Sequence, residues 1–275
     1  MSLFPQLSIW LVLALAVLLV LTKQKYWPVP LLVALVAAIA LGLLDWLAVA
    51  AIGAGLSLAW VADKTSGWRA GCLHLLVVIW ALALAAHWVP GFERFAVIEQ
   101  VKTGPTSSPF SLFLKLDKPM LIFAFILLMP AMLFRRAHAE RKRLICLAVA
   151  GLLALPFLGI ALGLLGVELS VPDWLMIFAF NNLLFTCVAE EVLFRGYLQG
   201  LLMRYGNVLA VVASSLLFGV AHFAGGGAFV LLASLAGACY GLIYLATGRL
   251  YLAVLAHFLF NLYHLIFFSY PLAAH

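Results

Sequence analysis

Apolar runs of similar length recur along almost the whole chain, each ended by a charge or by Pro and Gly. They fall at about 6–22, 28–44, 46–61, 70–89, 118–134, 144–166, 173–203, 207–223, 227–247 and 250–269. A run of about 20 apolar residues is what a helix needs to cross a bilayer. In hydrocarbon every backbone polar group has to be satisfied within its own segment, so each run predicts a helix. Together they predict an all-α polytopic transmembrane bundle of about 8–10 spans. The stretch 28–61 admits two readings, one very long helix or a tight pair turning at Asp45. Segment 90–117 is the one sizeable connector, with turn chemistry in TGPTSSP. Its end, SPFSLFLKLD, admits a solvated connector or an interfacial strand or helix. The first apolar run lacks a basic start and an A-x-A site, and reads as an uncleaved first span.

Composition removes the soluble alternative. Hydrophobic residues make up 67% of the 275 positions and charged residues 9%, whereas a soluble domain is about 45–50% apolar and about 25% charged. The formal charge of +6 then points to basic loops on one membrane face rather than to nucleic acid. Sorting Lys and Arg over ten spans places eleven on one side and four on the other, with Arg195 inside a span. Fusing 28–61 weakens the split to nine against six. The positive-inside rule therefore favours a pair of helices there and both termini outside the cytoplasm. Cys72, Cys146, Cys187 and Cys239 all fall in apolar stretches without CxxC or ligand spacing, and read as buried apolar residues.

Ten acidic residues are present. Asp45, Asp63, Glu93, Glu99, Asp117, Glu140, Glu168 and Asp173 fall in loops or at span ends, whereas Glu190 and Glu191 lie well inside an apolar span. An ionisable group in hydrocarbon costs several kcal/mol and marks a functional site by default. In CVAEEVLFRGYLQG, Glu191 and Arg195 are four apart, with the acid nearer the N-terminus. That is the favourable order for a helical ion pair. Glu190 projects about 100° away from Glu191 and has no local counter-charge. Desolvation favours the protonated form of a carboxyl, a property that suits general acid or base work near neutrality. A purely structural ion network is the competing reading.

Two histidines change the balance. His222 lies near the end of the next span, and His257 and Asn261 are four apart on the last. Measured from the basic ends at about 1.5 Å per residue, Glu190, His222 and His257 lie roughly 20, 24 and 12 Å deep. All three can therefore meet in a mid-membrane cavity of the C-terminal half. His264, two turns beyond His257, is a further candidate for that cavity. His74, His87, His138 and His275 sit near span ends, in the basic loop or at the terminus, and carry weaker signals.

The motifs EExxxR (Glu190, Glu191, Arg195), FxxxH (Phe218, His222) and HxxxN (His257, Asn261) stand in this order over about residues 174–265. In that order and separation they resemble the CPBP family of CAAX proteases and bacteriocin-processing enzymes, also called Abi. The resemblance implies an intramembrane endopeptidase in which Glu190 and His222 activate a water and His257 and Asn261 bind the oxyanion. Glu191 and Arg195 would support Glu190, and Phe218 would pack. It also implies a division into N-terminal helices of unassigned role, 1–140, and a catalytic helical core, 141–275. The family has been described both as metalloproteases and as glutamate-dependent. Glu190, His222 and His257 are a donor set of the kind that holds catalytic zinc with one open position. No HExxH is present, and the favoured reading is a metal-free, glutamate-activated water. The cofactor is thus none or one divalent metal. The partners are membrane lipid and a membrane-associated protein or peptide, with no nucleic acid. The charged cytoplasmic side and outside termini look bacterial, which suggests the cytoplasmic membrane and a substrate other than a prenylated CAAX protein. Competing readings are an ion- or proton-coupled transporter, which would want an inverted repeat, and a non-catalytic scaffold or immunity factor.

Overall fold

A computed structural model describes residues 4–138 and 141–274, with no side-chain description for 4–6; Glu140 and His275 lie outside the described residues. Among the described residues the predicted runs form ten helices. These are α1 (Phe4–Leu21), α2 (Pro28–Ala40), α3 (Trp46–Asp63), α4 (Gly67–Ala85), α5 (Asp117–Leu128) and α6 (Arg141–Ala161). They continue as α7 (Leu175–Tyr205), α8 (Asn207–Val220), α9 (Gly227–Thr247) and α10 (Leu250–Phe267). By length and composition α3, α4, α6, α7, α9 and α10 can each cross a membrane, and residues 7–21, Pro28–Ala40 and Asn207–Val220 form shorter apolar helices. The chain is an integral membrane protein built as a polytopic helical bundle. Its exposed surface carries Leu32, Trp68, Leu75, Leu147 and Val208, the apolar faces that lipid covers.

The stretch 28–61 is two helices, as the charge sorting requires. Asp45 ends the turn and caps α3, its Oδ1 accepting from the amides of Leu47 at 2.8 Å and Ala48 at 3.0 Å. Segment 90–117 is more ordered than a solvated connector. It pairs β1 (Phe95–Val101) with β2 (Phe110–Leu114) in a two-stranded sheet, the strand option for SPFSLFLKLD. The cysteines depart from expectation. Cys187 is buried and Cys239 half-buried, but Cys72 and Cys146 are exposed. Apolar context does not decide burial in protein when lipid can cover the same face.

Two compact units are distinguished. The first comprises 1–95, 113–130 and 184–189. Within it, α5 is buried on nearly every side, as expected of a helix apolar all round. Trp27 stacks on its Phe123 at 5.4 Å. Asp117 at its start is fully buried and is held by His87 Nδ1 at 2.6 Å and Lys115 Nζ at 3.1 Å. The loop after α4 returns to the start of α3, where the Asp45 amide donates to the Gly91 carbonyl at 3.0 Å. Gly91 has φ +86°, and a Cβ there would lie 1.8 Å from Asp45 Oδ1.

The second unit comprises 96–112, 131–183 and 190–275. Here α8 lies directly against α9. A Cβ on Gly219 would meet Ser234 Oγ at 1.9 Å and the Val230 carbonyl oxygen at 2.6 Å. Small residues allow such approach where burial in lipid supplies no drive for helix association. At one end of α10, three irregular segments knit together. Ser108 N donates to Leu272 O at 2.9 Å, Ala273 N to Leu164 O at 2.9 Å and Ala274 N to Thr106 O at 2.8 Å. The buried Glu168 carboxylate clamps them, accepting from Ser107 Oγ at 2.9 Å and from Thr106 Oγ1.

Replacing Asp45 by Ala removes both capping bonds. The expected cost is about 1 kcal/mol, read as a lower unfolding temperature in detergent.

Candidate active site

Helix α7 carries the two glutamates, and it is not a regular α-helix. Its hydrogen bonding widens to the π pattern over Asn182–Cys187 and Val192–Gln199, leaving Val188–Glu191 as an α-helical turn between them. Such wide turns are rare and gather at functional sites. Glu191 and Arg195, four apart, remain in contact across the change of pitch. Arg195 Nη1 donates to Glu191 Oε1 at 3.0 Å, with both side chains completely buried.

Arg195 is held by α9 and by two aromatic rings as well. Its Nη2 donates to the Gly237 carbonyl of α9 at 2.9 Å, and its guanidinium lies 4.4 Å from the Phe218 ring centre and 5.3 Å from that of Tyr240. One turn along, Gln199 Nε2 repeats the pattern on the Gly241 carbonyl at 2.9 Å. Two side chains four apart on α7 thus dock on two carbonyls four apart on α9. Glycine is needed at both. A Cβ on Gly237 would lie 2.8 Å from Arg195 Nη2, and one on Gly241 would lie 2.8 Å from Gln199 Oε1.

His257 of α10 joins this network. Its Nδ1 is 2.9 Å from Glu191 Oε1, and its Nε2 is 3.9 Å from Glu190 Oε2. A carboxylate oxygen only accepts, so Nδ1 carries the proton in the first contact. The second is an ion-pair distance, too long for a hydrogen bond. Tyr240 stacks on the imidazole at 4.5 Å and 16°, and Phe218 meets it edge-on at 5.6 Å. Phe218 therefore does more than fill space, since the same ring faces Arg195. Its carbonyl also receives Nδ1 of His222 at 2.8 Å, which leaves Nε2 as the acceptor of that imidazole. The fixed tautomer results from the four-residue spacing at the end of α8.

His222, His257, Asn261 and His264 line one cavity of about 100 Å³. Its remaining wall is apolar and includes Leu155, Phe229 and Phe260. Glu190 is not among the lining residues and is joined to the group through His257. Asn261 Nδ2 donates to Asn182 Oδ1 at 3.1 Å. Asn182 is buried on α7 and was not singled out from the sequence. Its signal was present in the polar pair Asn181 and Asn182 within an apolar run, eight residues before Glu190. Among the described residues no group of three or more His, Cys, Asp or Glu side chains is placed to hold a metal ion.

Two outcomes test the network. Arg195→Met leaves the buried Glu191 without its cation, and should cost about 3–5 kcal/mol, seen as a large fall in detergent unfolding temperature. Gly237→Ala should also destabilise, by displacing Arg195. Gly53→Ala on α3, where a Cβ meets nothing within 4 Å, should instead gain up to about 1 kcal/mol from helix propensity.

Comparison with known proteins adds the family. Residues 172–263 match the sequence model described as type II CAAX prenyl endopeptidase Rce1-like. Comparison with curated proteins and with solved structures returned no match. The matched segment begins just before α7 and ends in α10, and so contains Glu190, Glu191, Arg195, His222, His257 and Asn261. Over residues 172–263 the chain is thus similar to the Rce1-like type II CAAX prenyl endopeptidase family.

Proposed function

We propose that the chain is an intramembrane endopeptidase that hydrolyses a peptide bond of a membrane-associated protein or peptide by activated water. The observation that carries this reading is one small cavity lined by His222, His257 and Asn261, with the Glu190 carboxylate 3.9 Å from His257. An open cavity at the motif residues also favours an enzyme over a scaffold whose site is filled by apolar side chains.

In this reading a water is held between Glu190 and His222. The acceptor nitrogen of His222 and the Glu190 carboxylate share its proton as the water oxygen attacks the scissile carbonyl carbon. The carbonyl oxygen becomes an oxyanion. Asn261 Nδ2 carries two N–H groups, one directed at Asn182, and the second is assigned to the oxyanion. His257 donates from Nε2 when doubly protonated, with Glu191 as counter-charge at Nδ1. Collapse of the tetrahedral intermediate breaks the C–N bond, and the proton taken from water passes to the leaving amine. Glu191 and Arg195 hold His257 and the α7 backbone beside Glu190. They touch no reacting atom and are positioning residues.

The one-sided charge distribution supports basic connectors at the cytoplasmic face and both termini outside, as in a bacterial cytoplasmic membrane. Residues 141–275 are the catalytic core in this reading, and residues 1–140 carry no assigned chemistry.

The test is cleavage of a mixed library of lipidated and plain peptides by purified protein in detergent. Wild type should cut, and Glu190→Ala should not. Asn261→Ala should lower kcat about 10²–10³-fold with little change in KM, and a chelator should leave the wild-type rate unchanged. Equal activity of wild type and Glu190→Ala would refute the site. Loss of activity on chelation, restored by zinc, would replace the metal-free mechanism.

A further inference from the structure

His257, Asn261 and His264 all line the same cavity. Their spacing of four and three residues places them on one face of α10. The mechanism above uses the first two and leaves the third. His264 is held in a defined orientation. Its Nε2 is 3.2 Å from the Ser269 carbonyl oxygen, and Tyr270 packs on its ring at 5.1 Å and 64°. A carbonyl only accepts, so Nε2 carries the hydrogen and Nδ1 is the ring's acceptor. Around it the cavity wall is apolar, formed by Pro156, Leu165, Leu232 and Leu272.

We propose that His264 is a substrate-positioning residue whose Nδ1 accepts a hydrogen bond from a backbone N–H of an extended apolar peptide, about two residues from the scissile bond. This rests on the protease reading for the place of the scissile carbonyl. An oxyanion held between His257 and Asn261 lies about five helical residues from His264, or roughly 7.5 Å along α10. An extended chain advances about 3.3 Å per residue, so that distance spans about two residues. Residues two apart in a strand also present their N–H groups to the same side. A peptide in an apolar cavity has no bulk water for its amides, and an unpaired buried N–H is costly. An acceptor at this place satisfies one amide, while the leucines around it receive an apolar side chain.

The probe is a fluorescein-labelled octapeptide amide of Ala, Val and Leu, together with copies N-methylated at one amide each. Binding to the full chain in detergent is read by anisotropy, and cleavage is read separately by mass spectrometry. Wild type should bind one methylated copy about tenfold more weakly than the others, the methyl lying about two residues from the cut bond. His264→Asn keeps an amide oxygen near the place of Nδ1 and should keep that preference. His264→Gln keeps a donor for Ser269 and should lose it. The reverse pattern would assign His264 to the Ser269 turn alone and overturn the proposal. So would wild-type binding that is equal for all copies, or no binding. If wild type shows the preference but cuts no peptide, the His264 contact stands and the hydrolytic reading falls.

Discussion

Glu191 is a carboxylate with no exposed surface, in a segment apolar enough to cross a membrane. Such a group is tolerated only where donors meet it, and two do. Arg195 approaches from the same helix and His257 from α10, both on the same oxygen. The second oxygen, Oε2, is buried with no partner among the described residues, as is Nε of Arg195. The network is therefore balanced without being saturated, and loss of one member would strand the others. The positions of α7, α9 and α10 within the second unit follow from that constraint. Arg195 bridges Glu191 and the Gly237 carbonyl, and His257 meets Glu191 with Tyr240 stacked on its ring.

The proposed chemistry depends on the same constraint, because the charged network that stabilises the unit also orients its reactive groups. The Glu191 contact fixes which nitrogen of His257 is turned toward Glu190. Phe218 gives its ring to Arg195 and His257 and its carbonyl to His222, tying the imidazole just beyond α8 to the ion pair of α7 through one residue. Asn182 performs the corresponding service for Asn261. None of these second partners reacts in the proposed mechanism, yet each removes a rotational freedom that a water-activating site cannot tolerate. The π turns on both sides of Val188–Glu191 belong to the same design, since they alter which α7 side chains share a face.

The outer segments contribute through Glu168. Its buried carboxylate gathers the hydroxyls of Thr106 and Ser107, and the segments joined there supply Leu165 and Leu272 to the cavity wall. The cavity thus gains part of its apolar lining from connectors rather than from spanning helices.

Much of the architecture was legible in the chain itself. Apolar runs marked every helix, but run length overstated α2, α5 and α8, which are 13, 12 and 14 residues long. The charge asymmetry also resolved 28–61 into a pair, with Asp45 at the turn. The Glu191–Arg195 pair was readable because both partners lie four apart on one helix. Contacts that join distant segments were not readable. No local rule brings His257 to Glu191, 66 residues away, or Asn261 to Asn182, 79 residues away. The burial of Asp117 and Glu168 escaped notice because each sits at a span end, where sequence suggests solvent. The π turns escaped because intrinsic propensity favours regular α bonding, and packing overrides it. Sequence by itself determined which segments are apolar enough to lie in a membrane and which residues carry charge into them, since both are decided by transfer from water to hydrocarbon. Only the tertiary structure decided which of those charges meet, since pairing depends on helix packing rather than on composition.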